Sequence, residues 1–208
     1  MDLYKNRYRI QSTRLKEWDY SSDGYYFVTI CTKDQEFFFG NIVDGRIKLS
    51  AIGEIAKEYW LEIPQHFQNV KLDEFVIMPN HVHGIVIIEN DKNKNCRDSI
   101  NKQRGKDDIN CRDGINAVST GGGKIPRTHN PMLSKNSLSK IIRWYKGRCT
   151  FEINRIQNKL YFAWQSRFYE HIIRNEESLL KIREYIHNNP LKWDIDENNP
   201  AVFLKKKE

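Results

Sequence analysis

No two of the four cysteines (Cys31, Cys96, Cys111, Cys149) fall in a C-x-x-C spacing. That excludes a cysteine zinc site and a disulfide frame, and leaves reduced thiols of the kind found in cytosolic chains. No apolar run approaches the length needed to cross a bilayer, and the opening M-D-L-Y-K-N-R lacks the apolar core of a secretory signal. The expectation is therefore a cytoplasmic, nucleoid-associated protein with no membrane partner. Acidic residues are in deficit, 27 against 34 Lys and Arg, for a net charge of +7. A globular chain this basic points to a polyanionic partner, nucleic acid before membrane.

What is present fits one domain with appendages. At 208 residues, 39% hydrophobic and 12% aromatic, the chain can bury a core of its own. Residues 1–24 read as a basic and aromatic arm in which Arg14 and Lys16 are candidate DNA contacts, because cations meet phosphate and aromatics stack on bases. Residues 25–200 read as the domain, interrupted over 90–135, and 201–208 as a basic tail. Within the interruption N-C-R-D-S-I-N at Asn95 returns as N-C-R-D-G-I-N at Asn110, and apolar residues thin out. Two copies make no solenoid, and the expectation is a disordered, duplicated insertion.

The pattern elsewhere alternates between strand and helix. Tyr25–Thr32 is β-branched and aromatic, a strand. Asp44-Gly45 between apolar runs marks a hairpin. Ser50 caps a helix expected to run to Ile63, with Pro64 following. Phe75–Met78 and His81–Ile88 are strands around Pro79-Asn80. A second helix over Leu138–Ile153 places Leu138, Ile141, Ile142, Tyr145, Cys149 and Ile153 on one arc, with Lys140 and Arg143 on its basic face as further candidate DNA contacts. Phe162–Ile173 reads as extended or irregular. A last helix begins after Asn175 and ends near Asn189, since Pro190 disfavours helix in the residue before it.

Two segments carry chemistry. In M-P-N-H-V-H-G-I-V-I-I (Met78–Ile88), His81 and His83 lie on one face of a strand, about 6 to 7 Å apart along it. Two imidazoles so placed can share a cation or can simply hydrogen-bond at a strand end. In Y-I-H-N-N-P, Tyr185 and Asn189 are four apart on one helix face, beside the inward stripe of Leu179, Ile182 and Ile186. An amide oxygen is a hard ligand for Mg²⁺ or Mn²⁺, and imidazole also accepts Mn²⁺. Asn189 as a helix cap and Tyr185 as a packed ring are the alternative.

M-P-N-H-V-H resembles the His-hydrophobe-His signature of the single-tyrosine HUH transposases. W-Q-S-R-F-Y-E-H-I-I-R-N followed by Y-I-H-N-N-P is similar to the REP-associated tyrosine transposases, as is the block R-L-K-E-W-D-Y-S-S-D-G-Y-Y-F-V-T-I-C-T. The resemblance spans most of the chain outside the insertion. It implies an α+β, ferredoxin-like sandwich, an antiparallel sheet with helices on one face and a C-terminal helix carrying the tyrosine. It implies His81, His83 and Asn189 as ligands of Mg²⁺ or Mn²⁺ and Tyr185 as the nucleophile. The implied activity is single-stranded DNA cleavage and strand transfer at hairpin-bearing palindromic repeats through a 5′-phosphotyrosine, by a monomer or a homodimer. A hairpin-binding protein without cleavage is the alternative.

Overall fold

A computed structural model describes Leu3–Tyr4, Arg7–Tyr8, Leu15 and residues 18–90, 137–156 and 161–205. The candidate contacts Arg14 and Lys16, and the repeated segment with its two cysteines, lie outside these residues. None of the described helices is long and apolar enough to cross a membrane.

Four strands form the central sheet: β1 (Gly24–Cys31), β4 (Val70–Ile77), β5 (His81–Ile88) and β6 (Tyr169–Ile173). Between β1 and β4 come a hairpin, β2 (Gly40–Val43) and β3 (Arg46–Leu49), and helix α1 (Ala51–His66). Helix α2 (Leu138–Ile156) joins β5 to β6, and α3 (Glu176–Asn188) follows. A 3-10 turn (Pro190–Ile195) and the short α4 (Pro200–Lys205) complete the described chain. The sheet order is β4-β5-β1-β6, with every neighbour antiparallel. Strands first and third in the chain are central and strands second and fourth are edges, each pair bridged by a helix. This is the ferredoxin-like β-α-β-β-α-β arrangement.

Strand alternation divides the core in two. Tyr26, Val28 and Ile30 of β1 and Val82, Val86 and Ile88 of β5 face α1 and α2. Phe27, Ile85, Ile87 and Ile173 face the other way, where Leu179, Ile182 and Ile186 of α3 cover them. The two crossover helices thus share one face, and the tyrosine-bearing helix lies on the other. All eight residues of β5 are buried, which is why it reads as an unbroken apolar run apart from the two histidines. The buried residues of α2 are the six on the predicted arc.

Boundaries differ from expectation in three places. Helix α1 continues past Pro64 to His66, since near a C-terminus the imino nitrogen forfeits a single helical bond. Strand β4 starts at Val70 and tolerates a bulge between Leu72 and Phe75, which breaks the period that marks a strand. Phe162–Ile173 resolves into an irregular stretch tied to Thr32 at Trp164, then the edge strand β6. Local expectations elsewhere hold. Ser50 Oγ accepts from Gly53 N at 3.1 Å. Asp44 and Gly45 both take positive φ (50° and 68°), the two-residue turn that matches hairpin twist.

Gly84 marks the tightest approach between layers. It faces α1, and a Cβ there would meet Trp60 Cζ2 at 2.2 Å and Cη2 at 2.9 Å, with Trp60 fully buried. Gly84→Ala should therefore cost about 1–3 kcal/mol as overpacking. The check is a lowered urea midpoint at unchanged denaturant slope; an unchanged midpoint would mean that Trp60 can move aside.

Candidate active site

The histidines occupy the middle of the sheet, on the face toward α3. Antiparallel register sets His83 opposite Thr29 and His81 opposite Cys31. Their exposures are 0% for His81 and 2% for His83. Burial holds His81 down to about 3, and burial followed by its neighbour holds His83 well below the ordinary imidazole range. Both rings are therefore neutral at physiological pH, the state in which a ring nitrogen can donate a lone pair to a metal. Phe27 stacks on His83 with centroids 5.4 Å apart, and Trp193 flanks His81 at 6.0 Å, so neither ring is free to turn away.

Asn80 determines how His81 presents its nitrogens. Its amide nitrogen donates to the carbonyls of Gln35 (3.2 Å) and Asn198 (2.7 Å). That leaves Asn80 Oδ1 against His81 Nδ1 at 2.8 Å, so His81 Nδ1 must carry the proton. The lone pair of His81 then sits on Nε2, 2.9 Å from His83 Nε2. His83 Nδ1 rests on the Thr29 hydroxyl at 2.9 Å, a group that can donate or accept. When Thr29 accepts, both Nε2 lone pairs converge on one point. A cation there makes that convergence favourable, and these partners are the outer support a metal-binding imidazole needs.

Further groups reach the same place from the C-terminal segment. The Asp196 carboxylate, buried, lies with His81 and His83 in a cluster whose ligand atoms all fall within 4.8 Å of one another. Asn189, at the C-terminus of α3, donates through Nδ2 to Asp196 Oδ2 at 3.0 Å. Its Oδ1 is buried and finds no hydrogen-bond donor among the described residues. A buried carbonyl oxygen left unpaired costs about 1–3 kcal/mol. Two imidazole nitrogens, a carboxylate and an orphaned amide oxygen form a donor set that fits a divalent ion. The cluster has what is needed to hold a metal.

Tyr185 stands at the rim. Its hydroxyl is 3.2 Å from His83 Nε2, its ring meets Phe27 edge-on at 6.0 Å, and 42% of the residue is exposed. Burial of the hydroxyl and the Asp196 charge push it up to about 12, with the Asn189 amide opposing the rise. Arg183, two residues earlier, grips Asp73 with bonds of 3.0 and 2.5 Å, anchoring α3 to the bulge in β4.

Of the residues expected at the site, His81, His83, Tyr185 and Asn189 come together. Lys140 and Arg143 do not, because α2 lies on the opposite face of the sheet. Asp196, Asn80 and Thr29 were not anticipated. W-D-I-D-E after the proline offered three carboxylates, Asp194, Asp196 and Glu197, as a signal for Asp196, whereas the role of Thr29 rests on strand register and that of Asn80 on carbonyls distant in the chain, and both were invisible. Asn80→Ala should weaken Mn²⁺ binding about 10–100-fold in calorimetric titration. Wild-type affinity in that variant would show that the His81 tautomer is set elsewhere.

No protein-family model matches the chain. An uncharacterized protein of Haemophilus influenzae is 37% identical over 187 residues, spanning 90% of this chain and 91% of that one. Among solved structures, a REP-associated tyrosine transposase bound to a REP hairpin is similar with a TM-score of 0.49 at 17% identity, covering 93% of this chain and 74% of that one. A transposase-like protein of Deinococcus radiodurans is similar with a TM-score of 0.41 at 12% identity, covering 87% and 97%. Likeness of that degree concerns shape and says nothing of chemistry. By its sequence, the chain belongs to the same family as the Haemophilus influenzae protein, and it carries a buried, HUH-like His-x-His cluster.

Proposed function

We propose that the protein is a metal-dependent single-stranded DNA endonuclease and strand transferase, a transposase that works through a covalent phosphotyrosine. The observation that carries this reading is the half-exposed phenol of Tyr185 set 3.2 Å from a buried imidazole of a metal-competent cluster. His81, His83 and Asp196, with Asn189 completing the set, would hold Mg²⁺ or Mn²⁺; the two imidazoles favour Mn²⁺. Once bound, such an ion supplies Lewis acidity toward a phosphodiester oxygen and positive charge beside the phenol.

The protein's own groups account for the remainder. Tyr185 enters as a neutral phenol, because burial and Asp196 oppose its ionisation. Its oxygen forms a bond to phosphorus as the bond from phosphorus to the leaving 3′ oxygen breaks. The phenolic proton is lost, the leaving oxygen gains one as a 3′-hydroxyl, and the 5′ end stays on the enzyme. Attack by another 3′-hydroxyl reverses the exchange and restores a phosphodiester, so energy is conserved in the ester. Phe27 and the Arg183–Asp73 pair hold the ring in place during both steps. One nucleophile cuts one strand, which favours single-stranded substrate. The sequence blocks that resemble REP-associated transposases favour a palindromic hairpin beside the scissile phosphate.

The test uses labelled single-stranded hairpins from DNA flanking the gene, incubated with protein and Mn²⁺ and resolved on a denaturing protein gel. A labelled protein band should form, should vanish in Tyr185→Phe, and should vanish with chelator. Hairpin binding without any band in the wild type would overturn the reaction and leave a binding protein.

A further inference from the structure

On the far side of the sheet from the histidines, the exposed face of α2 and the irregular stretch 161–168 enclose a groove of about 740 Å³. Arg143, Lys146 and Arg167 line it, and no carboxylate does. Arg143 and Arg167 are both exposed and make no ion pair with any described residue. Lys146 lies partly buried with its ammonium on the Gln165 carbonyl; burial lowers it to about 8, so it remains mostly charged at neutral pH.

Aromatic side chains line the groove and stand at its rim. Phe162 and Trp164 form its floor, locked edge-on to each other at 5.2 Å, and Trp164 Nε1 donates to Lys146 O at 3.2 Å. Tyr161 and Phe151 stand at the rim with exposures of 78% and 61%. Large exposed rings beside cations that make no ion pair with a described residue match the makeup of single-strand sites, where bases stack on rings while cations track phosphates.

The groove's wall is also continuous with the reactive end of the sheet. Gln165 N donates to Cys31 O at 3.0 Å, Lys33 N donates to Ala163 O at 2.9 Å, and Cys31 lies opposite His81. Residues 163–165 of the groove wall are thus hydrogen-bonded to the end of β1, the strand that pairs with the histidine strand.

We infer that this groove seats a single-stranded stretch of the DNA substrate that flanks the hairpin, phosphates on Arg143, Lys146 and Arg167 and a base against Tyr161. The inference rests on the DNA-cleaving reading and assigns the substrate's path. The occupant is single-stranded DNA, since the groove has stacking rings and cations but no acid to accept from an amine or a basic peptide.

The probe is a fluorescein-labelled hairpin with a single-stranded flank, taken from DNA beside the gene, titrated by anisotropy with the full chain in EDTA. The double variant Arg143→Gln, Arg167→Gln should bind at least tenfold more weakly near 0.15 M salt. The slope of log affinity against log salt should become shallower by about 1.4, two phosphate contacts on a single strand. Tyr161→Ala should bind about tenfold more weakly with its slope unchanged. On the hairpin lacking its flank, all three proteins should bind alike. Wild-type affinity and slope in the double variant overturn the inference, as does an equal loss on the flankless hairpin, which would put duplex in the groove. Equal effects with RNA of the same sequence overturn the assignment to DNA. The adduct assay separates the two readings. If wild type forms the adduct and the variants bind normally, only the groove fails. Normal groove behaviour without any adduct fails only the reaction.

Discussion

The register in which β1 lies against β5 decides where each reactive group falls. Val28 opposite Gly84 and Thr29 opposite His83 send the histidines, Thr29 and Cys31 to one face and hand the other to α1 and α2. A slip of one residue would turn both imidazoles into the crossover-helix core and put Val82 on the site face in their place. Gly84 adds to the constraint, because only a residue without a side chain allows Trp60 to lie on the strand at that point. Packing on one face of β5 thus holds chemistry on the other in place.

The site sets charge against burial. Two imidazoles inside a sheet are kept neutral by the lack of solvent, and the nearby carboxylate of Asp196 is the anionic component of the cluster. An anion in such surroundings is unfavourable unless a cation or donors compensate it. Asp196 accepts from Asn189 Nδ2 and from the backbone N of Asn198 at 2.6 Å, which offsets part of the cost. The remaining imbalance, together with the unpaired oxygen of Asn189, is what a divalent ion would relieve. The same negative charge discourages ionisation of Tyr185, so the proposed nucleophile is quiet without a cation.

Much of this was legible in the chain. The β-branched and aromatic run Tyr25–Thr32, the Asp44-Gly45 turn, the Ser50 and Asn175 caps and the arc of α2 are local signals, and each led to the observed element. His81 and His83 were legible because a period of two puts them on one face, and Tyr185 with Asn189 because a period near four does the same. What was not legible depended on distant parts of the chain meeting. The bulge that turns Asp73 toward Arg183 breaks the pattern by which a strand is recognised. Strand β6 is a short edge rich in polar residues and earns its place by pairing with Phe27 and its neighbours. Asp196 is an acidic residue in a polar tail until the turn after Pro190 folds it against β5.

That turn has a further consequence. Asn198 reaches back 118 residues to Asn80, and Arg183 reaches back 110 to Asp73. The histidine strand and the phenol that completes its site lie 102 residues apart in the chain. Domains emerge from the ribosome in order, at about 5–20 residues per second. For the seconds in which only the N-terminal portion exists, the nascent chain possesses imidazoles but neither the carboxylate nor the phenol. The constellation of imidazoles, carboxylate and phenol therefore comes together only after nearly the whole domain has been synthesised.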